Sequence, residues 1–336
     1  MDNLKLFSQT DVKTLVNKRA GESKFGEHVK LISNFNTIYE ALQNLDVDYV
    51  IFGVCEDVGI FANHGNTGAR STWKIAIKVL LNIQSNQFTK ANRVCVLGHL
   101  EYGHLLSEID KLNPGKKKDV ISARKFVDVI DKDVSYLVSQ IVKAGKKPII
   151  IGGGHNNAYG NIKGTSLGLS KPINAINFDA HTDFRKEEGR HSGNGFSYAF
   201  AEGFLKNYFI FGLHENYTSQ SVFDKMNKLK EVKYNTYEAI EVRKETSFKT
   251  ELKKASQHVV DQPFGIEIDC DAIVNVPSSA KTPSGFSVSK TRQFLSYFSK
   301  FETATYLHLC EAAPKKKDAS KVGKLLTYLI TDYIKS

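Results

Sequence analysis

Cysteine is scarce in this chain: Cys55, Cys95, Cys270 and Cys310 are the only four among 336 residues. Each lies in or at the end of an apolar, strand-like run, and none has the spacing of a metal motif. That argues against a cysteine-built zinc module and a disulfide framework, and leaves reduced, buried thiols of the kind cytosolic proteins carry. No apolar run reaches the length of a membrane span. Met1-Asp2-Asn3-Leu4-Lys5 does not open a secretory leader, so a cytoplasmic location is expected. Acidic residues are also in deficit: 36 Asp and Glu face 46 Lys and Arg, for a net charge of +10 and a pI of about 9.2. Such a balance can mark a nucleic-acid binder. Here the lysines are scattered, and the runs Lys116-Lys117-Lys118 and Lys315-Lys316-Lys317 lack interleaved aromatics. They read as solvated loops, so neither a nucleic-acid nor a membrane partner is expected. A positive field does favour an anionic small molecule.

Linkers, repeats and low-complexity stretches are absent as well, which points to one domain over residues 1–336. Residues 1–46 read as a helical lead-in, with helical apolar spacing from Leu31 to Leu45. Strands are expected at Tyr49–Val54, Arg93–Gly98, Pro148–Ile151, Ile173–Phe178, Tyr208–Leu213, Val232–Tyr234, Phe264–Ile268 and Thr305–Cys310. Helical periodicity covers Ser71–Leu81, Ser122–Ala144 and Ser320–Ile334. Residues 99–121 read mostly as loop, and the glycine-rich exit from Glu56 to Arg70 is long enough to be functional. Strands alternating with helices predict a three-layer α/β/α fold around a parallel sheet of about eight strands.

The chemistry concentrates between Lys147 and Arg185. Two apolar strands each run into a cluster of metal-binding residue types: Gly152-Gly153-Gly154-His155, then Asp179-Ala180-His181-Thr182-Asp183. Alternate side chains of an extended segment share a face, so Asp179, His181 and Asp183 can act together. Carboxylate plus imidazole suits Mn, Fe, Co, Ni or Zn better than Ca. Asp caps and an ordinary loop histidine would explain one such cluster taken alone. A third follows at Glu267-Ile268-Asp269-Cys270-Asp271, and Glu311 leaves a strand in the same way. Ligands of open α/β sheets gather at the carboxyl ends of strands, so these groups can converge. Four aspartates crowded together repel unless cations are present, and two divalent ions would balance them.

The GGGH at 152–155, DAHTD at 179–183 and DCD at 269–271 resemble the three metal motifs of the ureohydrolase (arginase) family. The resemblance spans residues 48–330. It implies an arginase-like α/β fold with an eight-stranded parallel sheet and two Mn2+ per subunit. His155, Asp179, Asp183 and Asp269 would hold one ion, and Asp179, His181, Asp269 and Asp271 the other. Glu311 matches the late glutamate that faces the substrate's amidine-like group. Family members are commonly trimers or hexamers, so a homo-oligomer is expected.

Departures from the arginase pattern guide the choice within the family. Gly154 stands where arginases carry Asp, Glu267 where they carry Ser, and Phe196 where they carry a histidine. GGGH at 152–155, DAHTDFR at 179–185, the Asn63-His64-Gly65 loop and the Phe196 segment are more similar to formimidoylglutamases, which hydrolyse N-formimidoyl-L-glutamate to glutamate and formamide. His191, just beyond the second motif, is the candidate general acid. Arg185 and Arg190 could each grip a substrate carboxylate in bidentate fashion, with surface ion pairs as the plainer role. Asn194 and His64 are further candidate substrate contacts. Three alternatives stay open: an arginase- or agmatinase-type guanidino hydrolase, a mononuclear zinc deacetylase, and a non-enzymatic scaffold or nucleic-acid-binding protein.

Overall fold

The computed structural model describes residues 1–33 and 35–335. Nine strands form one sheet: β1 (Leu4–Leu6), β2 (Tyr49–Cys55), β3 (Val94–Glu101), β4 (Lys147–Ile151), β5 (Ile173–Phe178), β6 (Leu205–Leu213), β7 (Val232–Thr236), β8 (Phe264–Asp269) and β9 (Ala304–Cys310). Their order is β1-β3-β2-β4-β9-β8-β5-β6-β7. Every neighbouring pair is parallel except β1 with β3. All eight strands expected from the sequence are present, and an antiparallel edge strand is added.

Strand residues alternate between two buried layers, as a sheet covered on both faces requires. Ile149 and Ile151 of β4 pack into one layer with Trp73, Phe294 and Leu326; Ile150 enters the other with Val134, Leu137 and Ile162. The first layer is closed by helices Thr72–Leu80, Phe248–Val259, Val288–Phe298 and Ala319–Ile334, the second by Lys117–Lys143 and Asn157–Leu169. No helix among the described residues is long and apolar enough to cross a membrane.

Three local expectations are corrected. The helical lead-in contains β1, whose three residues are too few to show a period of two. Its expected Leu31–Leu45 helix shrinks to Ile38–Gln43. The preceding Ile32 is buried from an extended stretch in which Lys30 bridges Cys95, so helical spacing there is coincidental; Asn34 lies outside the described residues. Helices Gly103–Ile109 and Val58–Ala62 occupy segments read as loops; their seven and five residues give periodicity little to show.

One strand position illustrates how tightly the layers fit. A Cβ built on Gly265 of β8 would lie 2.0 Å from the ring of Tyr306 on the adjacent β9. Gly265→Ala should therefore destabilise the fold by about 1–3 kcal/mol through overpacking. Urea unfolding measures this, and an unchanged midpoint would refute the contact.

Candidate metal centre

Five adjacent strands, β2-β4-β9-β8-β5, send their carboxyl ends to one place. The β4 exit turns through Gly152 at φ +86° and Gly153 at φ +76°, a left-handed pair that favours glycine. Buried Glu56, at the β2 exit, ties this turn down. Its Oε1 accepts from Gly154 N at 3.0 Å and Asn157 Nδ2 at 2.6 Å, and its Oε2 accepts from Val58 N at 2.7 Å. Gly154 has no room for a side chain: a Cβ would lie 2.6 Å from Asn156 Oδ1 and 3.3 Å from Glu311 Oε1. Glu311, itself at φ +60°, accepts from His155 N at 2.6 Å. The tight turn therefore sets the backbone that carries His155, and it holds Glu311 at the β9 exit through Glu311 N to Gly153 O at 3.1 Å and His155 N to Glu311 Oε1.

His155 Nδ1 faces Asp183 Oδ2 at 2.7 Å, Asp269 Oδ2 at 3.1 Å and Asp179 Oδ2 at 3.3 Å. One donor atom from each of these four buried residues lies within 4.8 Å of the others. His181 Nδ1 lies 3.5 Å from Asp179 Oδ1 and 3.8 Å from Asp271 Oδ2, beside the same cluster. Neighbouring donors orient the carboxylates. Asn177 Nδ2 donates to Asp179 Oδ2, Asp271 N to Asp269 Oδ1, and Ala280 N to Asp271 Oδ1. All six expected metal ligands are thus brought together.

The electrostatics suit cations. Burial and the charges of Asp179 and Asp271 push the Asp269 carboxyl well above the usual range. Burial also raises Asp183, with Asp179 adding repulsion, and it raises Asp271. Burial opposes charge on His181, but Asp179 outweighs it and raises the imidazole to about 10. Both ring nitrogens of His155 are buried without a hydrogen-bond partner. A site that crowds carboxylates while leaving imidazole nitrogens unbonded fits divalent metal of the oxygen- and nitrogen-liking type, and Mn2+ is one such ion.

His181, Asp183, Asp269 and Asp271 of the cluster line a cavity of about 610 Å³, together with Asn63, His64, Arg185, Ser192, Tyr217 and Glu311. Glu311 Oε2 is buried there without a hydrogen-bond partner. Arg185 donates to Asn63 Oδ1 at 2.7 Å, and Asn63 donates to Ser192 Oγ at 3.1 Å. Tyr217 stacks on His181 with ring centroids 5.3 Å apart. From sequence, Glu56 and Asn63 stand out only as parts of the long exit loop, with no role of their own, and Tyr217 does not stand out. For Glu56 the signal existed, since it leaves a strand end just as Asp179 and Glu311 do.

Three expected contacts lie elsewhere. Arg190 is buried away from the cavity, donating to Asp131 Oδ2 at 2.8 Å and to Asn156 O at 2.8 Å, with its guanidinium over Tyr159 and Tyr198. Asn194 is consumed by the loop, accepting from Arg190 and His191 N and donating to Lys186 O and Gly189 O. His191 is also buried outside the cavity lining, its Nδ1 accepting from Gly193 N. Burial first, then the charges of Arg185, Arg124 and Arg190, push its imidazole down to about 3, so it is neutral at physiological pH and ill suited to supply a proton as imidazolium.

The architecture and the cluster define an α/β protein with a buried carboxylate–imidazole cluster at the strand ends that could hold a metal. The chain belongs to the arginase family, whose model matches residues 47–334. A formimidoylglutamase of Streptococcus gordonii is 27% identical over 198 residues, covering 56% of this chain and 54% of that relative. The chain thus spans about half the length of the curated relatives it matches. In fold it resembles the formimidoylglutamase of Bacillus subtilis, with a TM-score of 0.70, 16% identity and 94% and 93% of the two chains covered. A Trypanosoma cruzi formiminoglutamase solved with Mn2+ gives a TM-score of 0.67 at 16% identity, with 88% and 97% covered.

Arg190→Met should cost about 3–5 kcal/mol by leaving Asp131 buried and unpaired. Denaturant unfolding tests it; an unchanged midpoint would refute the structural role of the Arg190–Asp131 pair. His191 gives a pH signature. Its folded value lies below the ordinary 6.5, so below that pH the unfolded chain binds the extra proton and stability falls with pH. Relative to His191→Asn, the wild type should lose up to about 1.4 kcal/mol per pH unit between about pH 6 and 4. Parallel pH profiles of the two proteins would contradict the buried neutral imidazole.

Proposed function

We propose that this chain is a manganese-dependent hydrolase of a C–N bond in a linear amidine, acting on N-formimidoyl-L-glutamate to give glutamate and formamide. The supporting observation is the meeting of His155, Asp179, His181, Asp183, Asp269 and Asp271 beneath a cavity that also holds Glu311 and Arg185. In this reading His155, Asp179, Asp183 and Asp269 hold one Mn2+, and Asp179, His181, Asp269 and Asp271 the second. Metal bound there would polarise the amidine and make water a nucleophile at neutral pH.

The protein's own groups supply the rest. Glu311 Oε2, unpartnered and facing the cavity, accepts an N–H of the amidine and orients its planar carbon over the cluster. Arg185, half-exposed at the cavity wall and braced by Asn63, offers its guanidinium to a substrate carboxylate. His64 and Ser192 line the same wall and contribute polar contacts. Gly154 leaves the room that Asn156 and Glu311 occupy, where a side chain such as the arginase Asp would crowd them, and this supports a formimidoylglutamase-like site. His191, buried outside the cavity lining, takes no part in protonating the leaving amine.

One domain over the whole chain, homo-oligomerisation and a cytoplasmic location belong to the same proposal. The continuous nine-stranded sheet supports the first, and four free cysteines the last. Guanidino hydrolysis of arginine or agmatine is the second reading, favoured by the shared family.

The deciding experiment loads the protein with Mn2+ and compares formimidoylglutamate, arginine, agmatine and guanidinobutyrate. Turnover of formimidoylglutamate alone is expected, lost with EDTA and regained with Mn2+. Arg185→Gln should raise KM for that substrate about ten-fold or more, the worth of one charge-assisted contact. Preference for arginine or agmatine would replace the assignment, and an unchanged KM would remove Arg185 from it.

A further inference from the structure

Behind His155, on the side away from the aspartates, lies a second buried polar group that the scheme above does not use. β8 and β9 are paired in parallel with Glu267 opposite His308. Glu267, His308 and Tyr306 are fully buried. Tyr306 Oη donates to Glu267 Oε1 at 2.8 Å, and His308 Nδ1 lies 2.5 Å from Glu267 Oε2. His308 Nε2 reaches Gly152 O at 3.3 Å, in the turn that delivers His155. The same Glu267 Oε2 lies 3.5 Å from His155 Nε2.

The His155 ring therefore has carboxylates at both nitrogens: Asp183, Asp269 and Asp179 at Nδ1, and Glu267 at Nε2. Phe196 meets the ring edge-on at 5.2 Å and confines it. An apolar edge cannot distinguish a nitrogen from a carbon, so Phe196 does not prevent a half-turn that would exchange Nδ1 for a ring carbon. A neutral imidazole that gives Nδ1 to a metal carries its proton on Nε2, and that proton needs an acceptor. Carboxylates behind metal-bound histidines serve this purpose, fixing the tautomer and raising donor strength. Glu267 is the carboxylate whose closest approach to His155 is at Nε2; Asp179, Asp183 and Asp269 approach closest at Nδ1.

We propose that Glu267, clamped by Tyr306 and His308, is a positioning residue that fixes the His155 ring with Nδ1 towards the aspartates, and so sets the affinity of one metal position and not the other. This rests on the metal-centre reading. His181, the imidazole of the other set, has no contact with Glu267 and takes its orientation from Tyr217 instead. The serine that arginases carry at this place has no carboxylate to offer, so the device belongs to chains with glutamate there.

The test measures Mn2+ binding itself, by equilibrium dialysis with the free ion counted by electron paramagnetic resonance, beside the melting temperature of the metal-free protein. Wild type should take two Mn2+. Glu267→Gln keeps the shape and removes the charge; it should weaken one ion by about 10–100-fold and leave the other within about three-fold. Tyr306→Phe, which removes one hydrogen bond and no charge, should weaken the same ion by a smaller factor, and it decides the matter if Glu267→Gln does not fold. Two unchanged affinities would overturn the proposal. Equal loss of both ions, tracking a lower melting temperature, would also overturn it and make the group a structural one. Failure of the wild type to bind Mn2+ would instead remove the metal centre.

Discussion

Four aspartates share a buried space at the carboxyl ends of the central strands, and they repel one another. Water cannot screen them there, and their own hydrogen bonds do not neutralise them. Asp269 is accordingly driven far from its usual ionisation, while His155 and His181 are driven to carry charge. A fold that keeps such a cluster must hold it by force from outside. The surrounding structure supplies that force in the left-handed Gly152–Gly153 turn, the Glu56 staple and the non-glycine left-handed residues Asp183 and Glu311. Each of the last two carries about 1–3 kcal/mol of backbone strain, which the packing around them offsets.

Sheet order is what makes this possible. β4 and β5 are consecutive in the chain, yet β9 and β8 lie between them in the sheet. The last two strands enter a gap left by the earlier ones and bring Asp269, Asp271 and Glu311 to His155 and Asp179. The cluster is therefore completed only when the C-terminal third of the chain has docked. Helix Ala319–Ile334 packs on helix Thr72–Leu80 in the same layer and closes the gap.

The loop after β5 shows why residue type alone is a weak guide to role. Arg185 and Arg190 are five residues apart in one segment, and either could bind a carboxylate. The loop turns between them, so Arg185 faces the cavity and Arg190 faces helix Lys117–Lys143, where Asp131 neutralises it. His191, next in the chain, is surrounded by the resulting positive charge and stays neutral. A histidine beside a metal motif would ordinarily be a fair candidate acid; what disqualifies it is first its burial, then the charges of its own loop's Arg185 and Arg190 and of Arg124 from a distant helix.

What the sequence determined by itself was whatever depends on near neighbours. The β-branched runs ending in GGGH, DAHTD and DCD specify strands, their exits and the six metal-ligand candidates, because period-two alternation and strand-end chemistry are local. The eight parallel strands were legible for the same reason, whereas β1 and the five-residue helix after Glu56 are too short to carry a period. The tertiary structure alone decided which polar residues face the cavity and which are spent on scaffolding. Glu267 behind His155, Glu56 beneath the turn, and Arg190 against Asp131 are all long-range pairings. A side chain's partner there is set by strand order and layer packing, and no spacing along the polypeptide encodes it.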